Sequence, residues 1–364
     1  MTTSSVTCDI PRDEDTLQQL LLMTLKAQAS DLHLSAGIRP IIRRYGALVP
    51  LVFRPMDDSE LRAVVYASMT DAQVAQFEAD SDIDFSYLLH NRSQFRVNVF
   101  IERRSICAMF RAIPLVVPTL DSLEMPPIIR ELALRPRGLV LVTGPSGSGK
   151  STTLAAMIHE INISQRKHII TLEDPIEYMH SNEMSEIHQR EIGIDTPTFS
   201  SGLRHVLRQD PDVVLIGEMR DLESIDTALT AAETGHLVLA TLHTNSAAKT
   251  MDRIIHAFPA HQHDQIRLQL ASTLEGIITQ TLLPTADGNG RVCVQEILLA
   301  LPAVRNLIRE NKNHQISSAM QSGSRTGMQT FDQSLQRLVE SGKLRREDAL
   351  AASGNPEGLT NPGY

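Results

Sequence analysis

Residues 138–152 read GLVLVTGPSGSGKST, and this stretch decides the fold class. The apolar run Leu139-Val140-Leu141-Val142 predicts a buried strand, and TTLAAMIHEI after it predicts a helix. Between them lies the pattern G-x-x-x-x-G-K-[ST], here in the strand–loop–helix context in which it cradles phosphates. Glycines let the backbone curl so that successive N–H groups converge on an anion. The N-terminus of the following helix adds partial positive charge. The nucleotide-binding candidates are Gly144, Pro145, Ser146, Gly147, Ser148, Gly149, Lys150, Ser151 and Thr152. Lys150 is expected on the β- and γ-phosphates and the Ser151 hydroxyl on Mg²⁺. The motif points to a nucleoside triphosphate and is silent on how its energy is used.

Composition narrows the remaining classes. A chain of 364 residues exceeds one typical core and favours two or three domains. With 42% hydrophobic and 21% charged residues it is globular material rather than a disordered chain. A net charge of −9 argues against a nucleic-acid partner. No apolar run approaches the roughly 18 residues of a membrane span, so no transmembrane segment is expected. The start, MTTSSVTCDIPRDED, lacks the basic region and apolar core of a signal peptide. Cys8, Cys107 and Cys293 form no C-x-x-C pair, so neither a zinc site nor a disulfide framework is expected. Cys107 and Cys293 lie in apolar, strand-like runs, where a buried free thiol is the expected state. The expected location is cytoplasmic.

Patterning divides the chain. The first ten or so residues are expected to be disordered, and DEDTLQQLLLMTLKAQ reads as a helix with leucines at helical spacing. SDLHLSAG, PIIRRYGALVPL and SDIDFSYLL alternate as short strands around one helical stretch, ELRAVVYASMTDAQVAQFEA. QFRVNVFIERRSICAMFRAIP reads as a hairpin. This α+β unit spans 1–113. The proline-bearing stretch PLVVPTLDSLEMPP, 114–127, reads as a linker and natural hinge. From 128 to 300 the pattern is βα alternation, with apolar runs at 139–143, 168–172, 212–216 and 237–242, implying a mostly parallel sheet covered by helices. RVCVQEILLA at 291–300 is a late additional strand. Helical patterns fill 301–364, with a loose end at NPEGLTNPGY.

Three segments fall at predicted strand ends, where ligands bind in open α/β sheets. TLEDPIEY carries Glu173, Asp174 and Glu177, placed on a loop because Pro175 stops the strand. These carboxylates suit water activation or a hydrated Mg²⁺; a solvated acidic turn fits the spacing equally well. DVVLIGEMRD ends a strand in an acid, but Gly217 stands where an aspartate is usual, and Glu218 follows. Glu218 is a candidate Mg²⁺-water ligand or general base, and the pattern does not choose. In ETGHLVLATLHT, His236 and His243 bracket a buried strand and face opposite ways at period two. One of them could sense the γ-phosphate while the other stabilises the sheet or a subunit boundary, and a structural histidine is the commoner case at a strand end. In the hairpin, a two-residue turn at Arg103-Arg104 sets Arg96 opposite Arg111. Like charges in register are destabilising, so an anion held between them, with Arg104 joining, accounts for the pattern; solvated strand-face arginines do so too.

These segments, in this order, resemble the secretion-ATPase superfamily that drives type IV pili and type II secretion. More narrowly the chain resembles the type IV pilus retraction ATPases, the PilT family. The similarity runs from SDLHLSAG at 30 to MQTFDQSL at 328, densest in TGPSGSGKSTTLAAM, LEDPIEY, QREIGIDT, LRQDPDVVLIGEMRD and TAAETGHLVLATLHTNSAAKT. AVRNLIRE at 303–310 is close to the AIRNLIRE motif of retraction ATPases, with Val304 in place of isoleucine. The resemblance implies a PAS-like N-terminal α+β domain, a RecA-like P-loop ATPase domain, a helical C-terminal tail and a ring of six subunits. It makes Glu177 the catalytic carboxylate, Glu218 the Walker B acid, and His236 and His243 the His box. It makes Arg96, Arg104 and Arg111 phosphate contacts from the N-terminal domain, although the glycine that usually follows the middle arginine is Ser105 here. Extension and type II secretion relatives carry a longer N-terminal region and a tetracysteine zinc site; neither is found, which favours retraction.

The expected activity is an ATP-hydrolysing homo-hexameric motor, with ATP and Mg²⁺ in its site, acting on an inner-membrane pilus platform protein at the cytoplasmic face. An accessory PilU-type retraction ATPase, working beside a second retraction ATPase, is the alternative, and an extension ATPase is a further one. AVRNLIRE predicts a helix with Arg305 and Arg309 on one face, serving subunit packing, partner coupling or ordinary packing. A DNA-handling motor is disfavoured by the acidic balance, and a GTPase by the lack of an N-K-x-D motif.

Overall fold

A computed structural model describes residues 11–44, 47–89, 93–113 and 116–354. The expectations for residues 1–10, which include Cys8, and for 355–364 lie outside the described residues. The chain divides into two compact units, Met1–Val116 and Val117–Tyr364. Among the described residues no helix is long and apolar enough to cross a membrane.

The first unit is a six-stranded antiparallel sheet in the order β3-β2-β1-β6-β5-β4, with β1 Asp31–Ser35, β2 Ile41–Arg44, β3 Ala47–Pro50, β4 Asp82–Leu89, β5 Ser93–Glu102 and β6 Ser105–Ile113. Phe95, Val97 and Val99 of β5 are fully buried while Arg96 between them is exposed, the period-two signature of a sheet with one packed face. The helix Glu14–Lys26 buries Leu17, Leu20 and Leu21 in the same core. The single helical stretch expected at 60–79 is two helices, Asp58–Tyr66 and Asp71–Asp80. Each starts with a reciprocal capping box, Asp57 with Glu60 and Thr70 with Gln73, and the second box re-initiates the chain after the break.

The second unit is built on a seven-stranded sheet in the order β13-β12-β7-β11-β10-β8-β9. These strands are β7 Gly138–Thr143, β8 His168–Glu173, β9 Glu186–Glu191, β10 Val213–Ile216, β11 Leu237–Leu242, β12 Leu274–Pro284 and β13 Arg291–Leu299. All neighbours pair in parallel except β12 with β13. Every residue of β7, β10 and β11 is buried, as expected for strands covered on both faces. Two strands escape the sequence reading: β9, whose residues EIHQRE are mostly polar, and β12, which follows the helix His263–Thr273 with no turn between. The helices after residue 300 pack on this unit's core through Val304, Ile308, Ile316 and Met320. Arg305 donates to the carbonyls of Ala271 and Ser272 at 2.7 and 2.9 Å and pairs with Glu275 at 2.8 Å, closing the end of the preceding helix. Arg305 is therefore committed to internal packing, while Arg309 is exposed. Cys107 is buried and Cys293 half-buried; both are free, and burial pushes the Cys293 thiol up to about 12.

Candidate functional site

The carboxyl ends of β7, β8, β10 and β11 open onto one cleft of 480 Å³, where ligands collect in parallel sheets. Lys150, Ser151, Glu173, Glu177, Glu218 and His243 all line it. Four separate sequence segments thus converge on one place.

The phosphate loop is shaped by its neighbours as much as by its own residues. Gly144 has φ +141°, and a Cβ there would lie 2.2 Å from the Gln280 carbonyl oxygen, so the close approach of β12 demands glycine. Gln280 then fastens the loop: its Nε2 donates to the Ser148 carbonyl at 2.8 Å, and its Oε1 accepts from the Thr153 hydroxyl at 3.0 Å. Lys150 Nζ donates to the carbonyls of Gly144 and Pro145, each at 3.0 Å. Burial pulls the Lys150 pKa down, opposed by the charges of Glu218 and Glu177. The helix Lys150–Ser164 begins at Gly149 with no side-chain cap, which leaves its first N–H groups free for an anion. Among the described residues the buried Ser148 hydroxyl has no partner. Orphan donors around a cationic side chain fit a polyphosphate. The Ser151 hydroxyl, with Glu218 and Asp174 on the same cleft, fits Mg²⁺, a hard cation held by few protein oxygens together with substrate phosphates and water. No cluster of three or more His, Cys, Asp or Glu that could hold a metal ion occurs among the described residues.

The acidic segment divides into two roles. Glu173 ends β8 instead of lying on the loop as expected. Its carboxylate accepts from the Thr171 hydroxyl at 2.7 Å, from Gln189 Nε2 at 3.2 Å and from the backbone N–H of Glu177. Burial raises its pKa despite these donors. Asp174 and Glu177 do lie on the loop, and the Glu177 carboxylate is exposed to the cleft with no hydrogen bond or ion pair among the described residues. It is the carboxylate with lone pairs to spare.

Glu218 is held on both sides. Arg220 Nε lies 2.8 Å from its Oε2, and His243 Nε2 lies 3.2 Å from its Oε1. Arg220 also reaches Asp174 at 3.8 Å. Arg220, two residues beyond Glu218, also lines the cleft, though no motif in the sequence marks it. Gly217 is explained by crowding: a Cβ there would lie 3.0 Å from the Leu172 carbonyl and 3.3 Å from Glu173 Cα.

The histidine pair separates. His243 follows the carboxyl end of β11 and faces the cleft. His236 precedes the other end of the strand, where its Nδ1 meets the Ala231 carbonyl at 2.9 Å and the Thr234 hydroxyl at 3.1 Å. It does not line the cleft.

In the first unit, Arg96 stands directly opposite Arg111, and Glu102 pairs with Ser105 across the two-residue turn. Arg103 and Arg104 have φ of +49° and +72°. The turn thus places its left-handed residues at 103 and 104, so a glycine at 105 is not required. Part of the anion expected between the arginines is internal: Arg111 Nε donates to Asp31 Oδ1 at 2.9 Å. Arg96 and Arg104 are exposed.

Comparison with known proteins places the chain in a family. A family model described as type II/IV secretion system protein matches residues 14–350. The type IV pilus retraction ATPase PilT of Pseudomonas aeruginosa is 48% identical over 341 residues, covering 94% of this chain and 99% of that protein. A twitching motility protein of Neisseria gonorrhoeae is 50% identical over 321 residues, covering 88% of this chain and 86% of its own. A crystal structure of the pilus retraction motor PilT with bound ADP superposes with a TM-score of 0.88 at 44% identity, covering 94% of this chain and 98% of that one.

Proposed function

The chain belongs to the type II/IV secretion system protein family and is an ATPase, and from that premise we propose that it powers type IV pilus retraction. The observation that carries the reading is the convergence of Lys150, Glu177, Glu218 and His243 on one cleft. In this reading the loop 144–152 and the helix N-terminus bind the ATP phosphates, with Lys150 compensating their charge. Ser151 and Glu218 would hold Mg²⁺, directly or through water, and the ion supplies charge neutralisation on the phosphates. Glu177, unpaired among the described residues, orients the attacking water and takes its proton. Arg220 and His243 keep Glu218 fixed. Arg96, Arg104 and Arg111 are proposed as phosphate contacts, with the Arg111–Asp31 pair setting one of them in place. His236 is proposed as a sheet residue rather than a catalytic one.

The first unit is read as PAS-like and the second as RecA-like. The working form is proposed to be a homo-hexamer at the cytoplasmic face of the inner membrane, driving a platform protein, with the stretch 114–127 as hinge. The test is deletion in the source cell, with surface pili counted and surface motility measured. More pili with lost motility supports retraction. Loss of pili would move the assignment to extension, and an unchanged pilus count with altered force would move it to an accessory role.

A further inference from the structure

The loop 174–185 that carries Glu177 has no helix or strand of its own, so something outside it must fix the carboxylate. The edge strand β9 does this. Gln189 and Glu191, two residues apart, lie on the same side of that strand. Gln189 Nε2 donates to the Tyr178 carbonyl at 2.8 Å and to Glu173 Oε1 at 3.2 Å, while its Oε1 accepts from the His180 N–H at 2.8 Å. Glu191 Oε2 accepts from the Ile176 N–H at 3.2 Å. Residues 176, 178 and 180 are thus held by β9, and the Glu177 N–H is held by the Glu173 carboxylate that Gln189 itself contacts. On the other side, the Tyr178 hydroxyl meets the Thr152 hydroxyl at 3.0 Å, tying the same loop to the phosphate-loop helix.

We infer that Gln189 is a positioning residue for ATP hydrolysis, its amide fixing the backbone just after Glu177, at Tyr178 and His180, and the Glu173 carboxylate that accepts from the Glu177 N–H, so that the Glu177 carboxylate stands in register with the bound phosphates. The inference rests on the reading of Glu177 as the water-orienting group. Gln189 does not line the cleft. It acts through the loop that carries Glu177, and this separates it from a residue that merely supports the fold. A displaced carboxylate loses rate without losing substrate affinity, because the phosphates are bound by the loop 144–152, which Gln189 does not contact.

The experiment measures kcat and KM for ATP, affinity for a fluorescent ATP analogue and thermal melting of the full chain. The variants are Gln189→Ala and the volume-matched Gln189→Met, each alone and combined with Glu177→Gln. A kcat about tenfold lower is expected for both, with analogue affinity unchanged and no further loss when either is added to Glu177→Gln. Should Gln189→Ala melt early, Gln189→Met, which fills the same space, decides. Wild-type kcat in Gln189→Met, or a loss that multiplies with that of Glu177→Gln, overturns the inference while leaving the Glu177 reading intact. Full turnover in Glu177→Gln alone overturns the Glu177 reading and this inference with it.

Discussion

His243 Nε2 lies 3.2 Å from Glu218 Oε1, joining the carboxyl ends of two adjacent strands across the nucleotide cleft. Arg220 holds the other oxygen of the same carboxylate at 2.8 Å, and the Glu218 hydrogen bond raises the Arg220 pKa further. Glu218 is therefore held on both oxygens, which suits the metal-side role proposed for it. Glu218→Gln keeps the shape and removes the charge, so ATP turnover should fall about 100-fold. His243→Ala should cost only about tenfold, because Arg220 still anchors Glu218. Steady-state ATPase assays on both variants check the ranking; equal losses would contradict it.

His236 sits at the far end of β11 from the cleft, bonded to Ala231 and Thr234. His236→Ala should leave kcat unchanged and lower stability by about 1 kcal/mol, the ordinary worth of such a hydrogen bond. Parallel activity and urea-unfolding curves measure this. A large loss of turnover in a fully folded variant would return His236 to the active site.

The loop glycines are not equivalent. A Cβ on Gly144 would lie 2.2 Å from a backbone carbonyl of β12, whereas one on Gly147 meets nothing within 4 Å. Gly144→Ala should displace the loop and abolish nucleotide binding. Gly147→Ala should bear only the strain of its φ of +76°, about 1–2 kcal/mol. Titration with a fluorescent ATP analogue distinguishes the two.

Asp31 gives the first unit an acid-side limit. Burial works to raise its pKa, but the hydrogen bonds from Ser30 and Arg111 outweigh it and hold the carboxyl below its ordinary 3.8. A carboxylate whose folded pKa is depressed adds stability above its unfolded pKa, and that stability is lost as pH falls through the folded value. Amide exchange in β1 and β6 should therefore accelerate below pH 3.8, and Asp31→Asn should be weaker at neutral pH with a flatter acid response. Identical pH profiles for the two proteins would contradict the assignment.

Much of this architecture was legible because its signals are local. The strands β7, β8, β10 and β11 are short apolar runs, and the phosphate loop, Glu177, Glu218 and His243 stand at their carboxyl ends, where a parallel sheet puts ligands. The opposition of Arg96 and Arg111 followed from counting residues outward from a two-residue turn. What escaped depends on neighbours distant in sequence. The edge strand β9 carries Glu186, His188, Gln189, Arg190 and Glu191, a composition that reads as loop until β8 supplies the hydrogen bonds. The strand β12 follows a helix without a break, so no turn residue announces it, yet its Gln280 fastens the phosphate loop. The resemblance groups His236 with His243, yet the six-residue strand β11 sets them at opposite ends.

Glu177→Gln tests the central claim most directly, with ATP turnover and ATP-analogue affinity measured on the same preparation. Because Glu177 lines the cleft apart from the loop 144–152 proposed to bind the phosphates, turnover should fall by about 100-fold or more with affinity retained. Full ATP turnover by Glu177→Gln would contradict the account.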